Sequence, residues 1–161
     1  MSETLSLEEQ VVVLLKEKKM KLSTTESCTG GFLAGTIVNV SGASEVFDEG
    51  YITYSNEAKH KILGVKEETL SQYGAVSEET AKEMASGCAK VSGAQVAVGI
   101  TGIAGPTGGT KEKPVGLVYM GCYCQGTVKV KKFIFDGDRS AVRQQSVEEA
   151  LKFILERMKE Q

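Results

Sequence analysis

The sequence predicts an α/β fold in which helices cover both faces of a mixed sheet. Segments with helical spacing of apolar residues alternate with short β-branched or apolar runs along the whole chain. The run 94–101 is almost continuously apolar, which is typical of a strand buried on both faces. Two later runs, 116–124 and 127–135, flank Gln125-Gly126 and predict an antiparallel hairpin.

In the first half of the chain, helical and strand patterns follow one another with short breaks. Apolar residues at helical spacing predict a helix over about residues 5–18, and a short strand over 21–25 comes next. After a turn, helical spacing resumes at Phe32 and is broken by the small residues 41–44. The aromatic and β-branched segment 46–55 then has the composition of a strand.

The remaining helices are marked by recognisable start and stop residues. Short helices are predicted over 56–63 and 66–73, and a glycine follows each of them. Ser77, with two acidic residues directly after it, is a predicted N-cap for a helix that runs to about Val91. The last helix begins near Asp138 and carries an apolar stripe on one side.

Length and composition are those of one globular domain, predicted over 1–161. Hydrophobic residues make up 41% of the chain and charged residues 25%, which is ordinary for a soluble protein. The 19 basic and 21 acidic residues give a net charge of −2. This balance provides no general field that would attract nucleic acid or an anionic membrane, so an anion is expected to bind only at a local site.

No targeting, membrane or metal-binding pattern is present. The N-terminus lacks the basic and apolar regions of a signal peptide, and no apolar stretch approaches the roughly 20 residues of a membrane helix, so the expected location is the cytoplasm. The four cysteines match no zinc or redox spacing, and His60 is the single histidine. Neither a metal nor another cofactor is therefore expected.

The turn before the second helix is the first candidate site. It consists of Ser27, Cys28, Thr29, Gly30 and Gly31. A glycine pair at a helix start lets main-chain N–H groups approach an anion closely, and the helix dipole favours negative charge there. The same turn is also consistent with a purely structural role, in which Ser27 or Thr29 caps the helix.

The long glycine-rich loop after the buried strand is the second candidate. Ligands of α/β sheets bind at such strand ends, and loops of this length are usually functional. It has neither the Gly-Lys-Ser/Thr of a P-loop nor a G-x-G-x-x-G dinucleotide pattern. A flexible surface loop is the alternative interpretation. The residues of interest here are Thr101, Gly102, Ala104 and Gly105.

A third segment places Tyr54 at a strand end and Lys59 on the following helix. Lys59 shares a helix face with Ser55 or Asn56, although a lysine on a short helix is more often a solvated charge.

The fourth segment begins the last helix with Arg139 and, one turn later, Arg143. Two guanidinium groups at this spacing can hold a phosphate or carboxylate bidentately. Alternatively, they pair with surface acids such as Glu148.

Taken together, these segments resemble the C-terminal domain of the CinA (competence/damage-inducible) family, the nicotinamide-nucleotide amidases. Six motifs in the same order over nearly the whole chain are far more specific than any one of them. They are Glu26-Ser-Cys-Thr-Gly-Gly31, Gly50-Tyr-Ile-Thr-Tyr-Ser-Asn-Glu-Ala-Lys59, Gly74-Ala-Val-Ser77, Thr101-Gly-Ile-Ala-Gly-Pro106, Lys113-Pro-Val-Gly116 and Gly137-Asp-Arg139.

The resemblance implies a three-layer α/β/α sandwich with a mixed, mostly parallel sheet. It also implies hydrolysis of the carboxamide of nicotinamide mononucleotide, with Ser27 as nucleophile and with Tyr54 and Lys59 as further catalytic residues. A phosphorylated nucleotide is then the small-molecule substrate, and a homo-oligomer, in the first instance a dimer, is the expected assembly. Many members carry an N-terminal domain that resembles molybdopterin-binding proteins, whose activity is expected to be absent here.

The chemistry favours a serine–lysine mechanism because no Ser-His-Asp triad is evident. Lys59 then acts as the base, which requires its pKa to fall from ~10.4 to ~7–8; burial near Arg139 or Arg143 is one way to lower it. Main-chain N–H groups of 29–31 are candidate oxyanion donors. The phosphate is expected at 102–105 with Arg139 or Arg143 as a further ligand, although the reverse arrangement, with the phosphate at 27–31 and the amide at 102–105, remains open.

The runner-up interpretation is a non-catalytic module that binds a phosphorylated metabolite and regulates a partner. Such a module does not need Lys59 beside Ser27, so the distance between these two side chains discriminates between the hypotheses. A nucleic-acid-binding role is disfavoured by the acidic charge balance.

Overall fold

A five-stranded mixed sheet forms the middle layer of the protein, of which the computed structural model describes residues 4–160. The strands are β1 Leu22–Glu26, β2 Phe47–Ile52, β3 Val96–Gly102, β4 Leu117–Cys124 and β5 Thr127–Ile134. Their order across the sheet is β2-β1-β3-β4-β5. Only β4 runs against the other four strands, which confirms a mixed, mostly parallel sheet. The predicted domain 1–161 includes residues 1–3 and 161, which lie outside the described residues.

Helices cover both faces of this sheet and complete the three-layer α/β/α sandwich. The helices are α1 Leu7–Lys18, α2 Phe32–Val38, α3 Asn56–Leu63, α4 Glu67–Tyr73, α5 Glu78–Ser92 and α6 Arg139–Lys159, with a short 3₁₀ turn at Ala43–Glu45. One face carries α1, α2 and α6, which pack on one another, and the other carries α3, α4 and α5. Within residues 4–160, no helix has the length and apolar character needed to cross a membrane.

Two apolar clusters hold the layers together, one on each side of the sheet. The larger lies under α1, α2 and α6, and the smaller lies under α3, α4 and α5. Strand β3 contributes to both, because Val98 and Ile100 face the larger cluster and Ala97 the smaller one. All its residues from Val96 to Thr101 are buried, which confirms the strand predicted from the continuous apolar run.

Side-chain caps set several helix starts where the sequence predicted them. The Ser77 hydroxyl accepts the N–H of Thr80 at the start of α5, and the Asp138 carboxylate accepts the N–H of Ala141 at the start of α6. The strand predicted over 46–55 is shorter than expected and ends at Ile52. The reason is local, because Ser55 already caps α3 and cannot extend the strand.

The carboxyl ends of β1, β2 and β3 meet at one edge of the sheet, because these three strands are parallel. The segments that follow them are therefore brought together, namely the turn 27–31, the segment 53–59 and the loop 103–116. Such an edge is where α/β sheets bind ligands.

Candidate active site

A cavity of about 320 Å³ opens at this edge of the sheet. It brings together nine of the residues predicted from the sequence, which are Ser27, Cys28, Tyr54, Lys59, Thr101, Gly102, Ala104, Gly105 and Arg139. Four other predicted residues, Thr29, Gly30, Gly31 and Arg143, do not line it. Five residues to which no role was given complete the lining, namely Ala75, Val76, Ile103, Thr107 and Gly108.

The central contact of the cavity joins Lys59 to Ser27. Lys59 lies in the first turn of α3, only 1% exposed, and its Nζ is 3.1 Å from the Ser27 Oγ. The same Nζ donates to the main-chain oxygens of Thr53, at 2.9 Å, and Tyr54, at 3.2 Å. A neutral amine has two N–H bonds and one lone pair. With both N–H bonds directed to carbonyls, the lone pair is left for the serine hydroxyl.

Burial lowers the pKa of Lys59 from its ordinary value to about 8, because desolvation disfavours the ammonium form. The neighbouring Cys28 opposes this shift slightly. Among residues 4–160, no carboxylate forms an ion pair with Lys59. Burial itself therefore lowers the pKa of Lys59. The expected contribution from the neighbouring charges of Arg139 or Arg143 is not found.

Ser27 is held at the end of β1 with its hydroxyl directed into the cavity. Its N–H donates to the carbonyl of Ile100 on β3, and its side chain is 8% exposed. The adjacent Cys28 is the other nucleophile in the turn, but burial raises the pKa of its thiol to about 11. At neutral pH that thiol is protonated and a poor nucleophile, since the thiolate is the reactive form.

The rest of the turn lies behind the nucleophile. Gly30 and Gly31 adopt φ values of 55° and 100°, a left-handed conformation that glycine adopts without strain. The Gly30 N–H donates to the carbonyl of Ser27 and so closes the turn. Within the described chain, the N–H groups of Cys28 and Thr29 donate to no other residue, and Cys28 borders the cavity.

A buried glutamate occupies the start of α2. Glu26 is 1% exposed, and its two carboxylate oxygens accept the N–H groups of Leu33, at 2.8 Å, and Ala34, at 3.0 Å. Sequence reasoning included Glu26 in the motif but gave it no role. The signal available was an acidic residue directly before the proposed nucleophile in an otherwise uncharged strand.

The two arginines of α6 have different positions. Arg139 lines the cavity and donates to the Gly105 carbonyl at 2.8 Å and to the Tyr54 hydroxyl at 3.3 Å. Arg143 donates to the carbonyls of Cys28, at 3.1 Å, and Thr29, at 3.0 Å, so it holds the turn from outside the cavity.

Glu148, the acid suggested as a partner for these arginines, pairs instead with Lys152.

Tyr54 meets the Ser27–Lys59 pair through its main chain. Its carbonyl oxygen lies 3.4 Å from the Ser27 Oγ and accepts from Lys59. Its side chain is 61% exposed at the cavity mouth, where the hydroxyl contacts Arg139.

The glycine-rich loop forms a wall of the cavity and is tied to the body at several points. The Gly105 carbonyl accepts from Arg139 at 2.8 Å, and the Lys113 ammonium donates to the Tyr73 carbonyl at 2.5 Å. Just before the loop, at the end of β3, the Thr101 hydroxyl donates to the Ala75 carbonyl at 2.9 Å. These contacts favour an ordered loop over the flexible alternative. Over residues 4–160, no cluster of three or more His, Cys, Asp or Glu side chains is arranged to hold a metal ion.

Comparison with known proteins adds to this geometry. A model of the CinA C-terminal domain matches residues 4–158. The CinA-like protein of Kosmotoga olearia is 61% identical over 149 residues, which cover 92% of this chain and 36% of that protein. The chain therefore spans about a third of the length of this relative.

Solved structures of similar proteins have the same fold over their whole length. The competence/damage inducible protein CihA of Agrobacterium tumefaciens is 40% identical, with a TM-score of 0.91 over 96% of this chain and 98% of that one. A CinA superfamily protein of Klebsiella pneumoniae is 34% identical, with a TM-score of 0.92 over 98% of this chain and 100% of that one.

Proposed function

Because this chain belongs to the CinA C-terminal domain family, we propose that it is a nicotinamide mononucleotide deamidase. In this reaction, water converts the carboxamide to a carboxylate and releases ammonia. The observation that carries the proposal is the buried contact of 3.1 Å between the Lys59 amine and the Ser27 hydroxyl. A module that only binds a metabolite has no need of this pair, so the contact favours the enzyme over the binding module.

In the first half-reaction, the Ser27 Oγ attacks the carboxamide carbon while neutral Lys59 accepts the hydroxyl proton. The negative charge that develops on the carboxamide oxygen needs a donor, and the candidate in the turn is the N–H group of Cys28, which borders the cavity and has no acceptor among the described residues. Collapse of the tetrahedral intermediate breaks the C–N bond. Lys59 returns its proton to the departing nitrogen, which leaves as ammonia.

In the second half-reaction, water attacks the ester formed on Ser27, and Lys59 again accepts the proton. The Ser27 oxygen then leaves the carboxylate product and recovers its proton from Lys59. Throughout the cycle, the carbonyls of Thr53 and Tyr54 hold the Lys59 nitrogen in place, because they accept its hydrogens in both protonation states. One residue therefore serves as base and acid in turn.

The phosphate of the substrate is assigned to the part of the cavity that Arg139 lines. Arg139 offers a guanidinium group beside the main chain of Gly102–Gly105. The alternative anion site at the start of α2 is filled by the Glu26 carboxylate, which supports this division. Tyr54, at the cavity mouth, is placed to contact the nucleotide between its two ends.

Ammonia release from nicotinamide mononucleotide tests the proposal. Ser27→Ala and Lys59→Ala are each expected to lose at least about 10³-fold in kcat, since nucleophile and base act as a unit. Lys61→Ala is the matched control for the lysine, because Lys61 lies on the same helix but is exposed to solvent.

Cys28→Ala separates the two possible nucleophiles. This variant keeps the main-chain N–H and loses only a protonated thiol, so ammonia release is expected to persist. Wild-type rates in Ser27→Ala or Lys59→Ala, or loss of the rate in Cys28→Ala with an intact fold, would contradict the serine–lysine mechanism.

A further inference from the structure

Glu26 is a buried carboxylate in a position where an apolar residue would fit the strand. It ends β1, directly before Ser27, and only 1% of it is exposed. Over residues 4–160, no lysine or arginine forms an ion pair with it. A buried charge is retained only where hydrogen bonds compensate for its desolvation, and here the compensation comes from the N–H groups of Leu33 and Ala34.

These two hydrogen bonds close a ring around the nucleophile. The main chain of Glu26 is fixed on both sides, because it pairs with Ile52 of β2 and Ile100 of β3. Its side chain then reaches forward across the turn 27–31 to the first residues of α2. The helix has no other side-chain cap, because its N-cap residue is Gly31. The turn that carries Ser27 is thus anchored at one end by the sheet and at the other by the Glu26 carboxylate.

We propose that Glu26 is a positioning residue that holds the Ser27 turn against the Lys59 amine. The inference rests on the proposed function, because it assumes that Ser27 is the nucleophile. One consequence follows from the geometry. Without the carboxylate, the turn loses its forward anchor and Ser27 departs from the 3.1 Å contact.

Glu26→Gln is the informative substitution because it keeps the size of the side chain and removes its charge. The amide has one oxygen in place of two, so one of the N–H groups of Leu33 and Ala34 is left facing an NH₂ donor. We expect kcat for nicotinamide mononucleotide to fall by about 10²-fold, the order of loss that follows a 1 Å misplacement of a reacting group. KM is expected to stay nearly unchanged, because the Arg139 wall is untouched.

A second readout follows Ser27 itself and does not depend on the substrate. Methanesulfonyl fluoride reacts with an activated serine, whose oxygen displaces fluoride while the hydroxyl proton passes to the base. The rate of modification, read by intact mass and by peptide mapping to Ser27, is expected to fall in Glu26→Gln in parallel with kcat. Wild-type protein that is modified at Ser27 but releases no ammonia would refute the deamidase proposal and leave the Glu26 inference to be judged by labelling.

Two further variants separate positioning from simple loss of stability. Val11→Ala removes buried volume from α1, which does not line the cavity, and is expected to lower the Tm without slowing the labelling of Ser27. Glu26→Asp keeps the charge on a shorter side chain. Its kcat and its rate of Ser27 labelling are expected to fall between those of the wild type and Glu26→Gln. If Glu26 only filled space, Glu26→Gln, which keeps the size of the side chain, would slow the labelling of Ser27 less than Glu26→Asp. Labelling of folded Glu26→Gln at the wild-type rate would overturn the inference.

Discussion

At the scale of single residues, the site depends on a lysine placed where its charge is disfavoured. Lys59 is among the largest fully buried side chains of the protein, and its amine contacts oxygens that are all formally neutral. Two carbonyls can orient an amine without raising its basicity as a carboxylate would. The same environment that buries the lysine thus prepares it to accept a proton near neutral pH.

The pKa of Lys59 gives a prediction for the pH dependence of the reaction. The neutral amine is the active form, so kcat/KM is expected to rise about tenfold per pH unit below pH 8 and to level off above it. The profile is best measured from pH 7 upward, where the substrate phosphate, with a second pKa of about 6, is already about 90% in its dianionic form. A rate that does not change between pH 7 and pH 9 would contradict the role of Lys59 as base.

The different positions of the two arginines give a second prediction. Arg139→Ala removes a charge from the cavity wall and is expected to raise KM for nicotinamide mononucleotide by about 10–100-fold, the worth of a charge-assisted hydrogen bond. For nicotinamide riboside, which lacks the phosphate, Arg139→Ala is expected to raise KM much less. Arg143→Ala frees the carbonyls of Cys28 and Thr29 and is expected to lower kcat for both substrates alike.

Steady-state constants for the two substrates distinguish these roles. If Arg139→Ala raised KM equally for both substrates, the phosphate would not bind at Arg139. A KM effect confined to the phosphorylated substrate in Arg143→Ala would give that residue the binding role instead.

At the scale of secondary-structure elements, the position of Lys59 depends on how closely α3 approaches α5. Gly87 in α5 allows this approach, because a Cβ there would lie 2.1 Å from the main-chain oxygen of Leu63, the last residue of α3. The closest neighbour is backbone, which cannot rotate away as a side chain can. Any larger residue at position 87 must therefore move one helix relative to the other.

Gly87→Ala is expected to destabilise the protein by about 1–3 kcal/mol, the usual effect of overpacking. It should also lower kcat, because the displaced helix carries Lys59. Thermal unfolding and ammonia release measure the two effects. Gly35→Ala in α2 is the matched control, since a Cβ at Gly35 would meet nothing within 4 Å.

The control is expected to change stability in the opposite direction. Alanine is favoured over glycine inside a helix by about 0.5–1 kcal/mol, so Gly35→Ala should raise the Tm slightly. A Gly87→Ala protein as stable as Gly35→Ala would show that α3 and α5 are less tightly packed than described.

At the scale of the whole molecule, one buried arginine joins the late hairpin to the last helix. Arg157 on α6 is 2% exposed and donates to the carbonyl of Cys122 on β4 and to both oxygens of Thr127 on β5. It also pairs with Glu160 at the end of the helix. This link lies away from the cavity, so it affects the assembly of the fold and not the chemistry.

Arg157→Ala removes a buried guanidinium group and its hydrogen bond to the buried carbonyl of Cys122, and it is expected to destabilise the protein by about 3 kcal/mol. For a domain of this size, that corresponds to a fall in Tm of roughly 6–12 °C. Lys152→Ala, on the same helix but exposed, is expected to leave the Tm close to that of the wild type. Arg157→Ala should still release ammonia normally below its Tm, and a loss of kcat in the folded variant would contradict this separation.

Most helices and strands could be predicted because they depend on patterns over a few neighbouring residues. The helix 56–63, the cap at Ser77 and the start of the last helix near Asp138 follow from side chains that act within one turn. The end of β2 was misplaced, because the strand composition of Thr53 and Tyr54 conflicts with the cap that Ser55 provides. Local propensity could not resolve this competition.

The sequence by itself determined the order of elements, the fold class and, through a family resemblance, the residues proposed to react. Only the tertiary structure decided what surrounds them, because their partners are far away along the chain. Lys59 meets Ser27 across 32 positions, and Arg143 meets the carbonyl of Cys28 across 115. The burial of Lys59, and therefore its pKa, depends on how these distant segments pack together. For the same reason, the role inferred for Glu26 became visible only when its carboxylate was found at the start of α2.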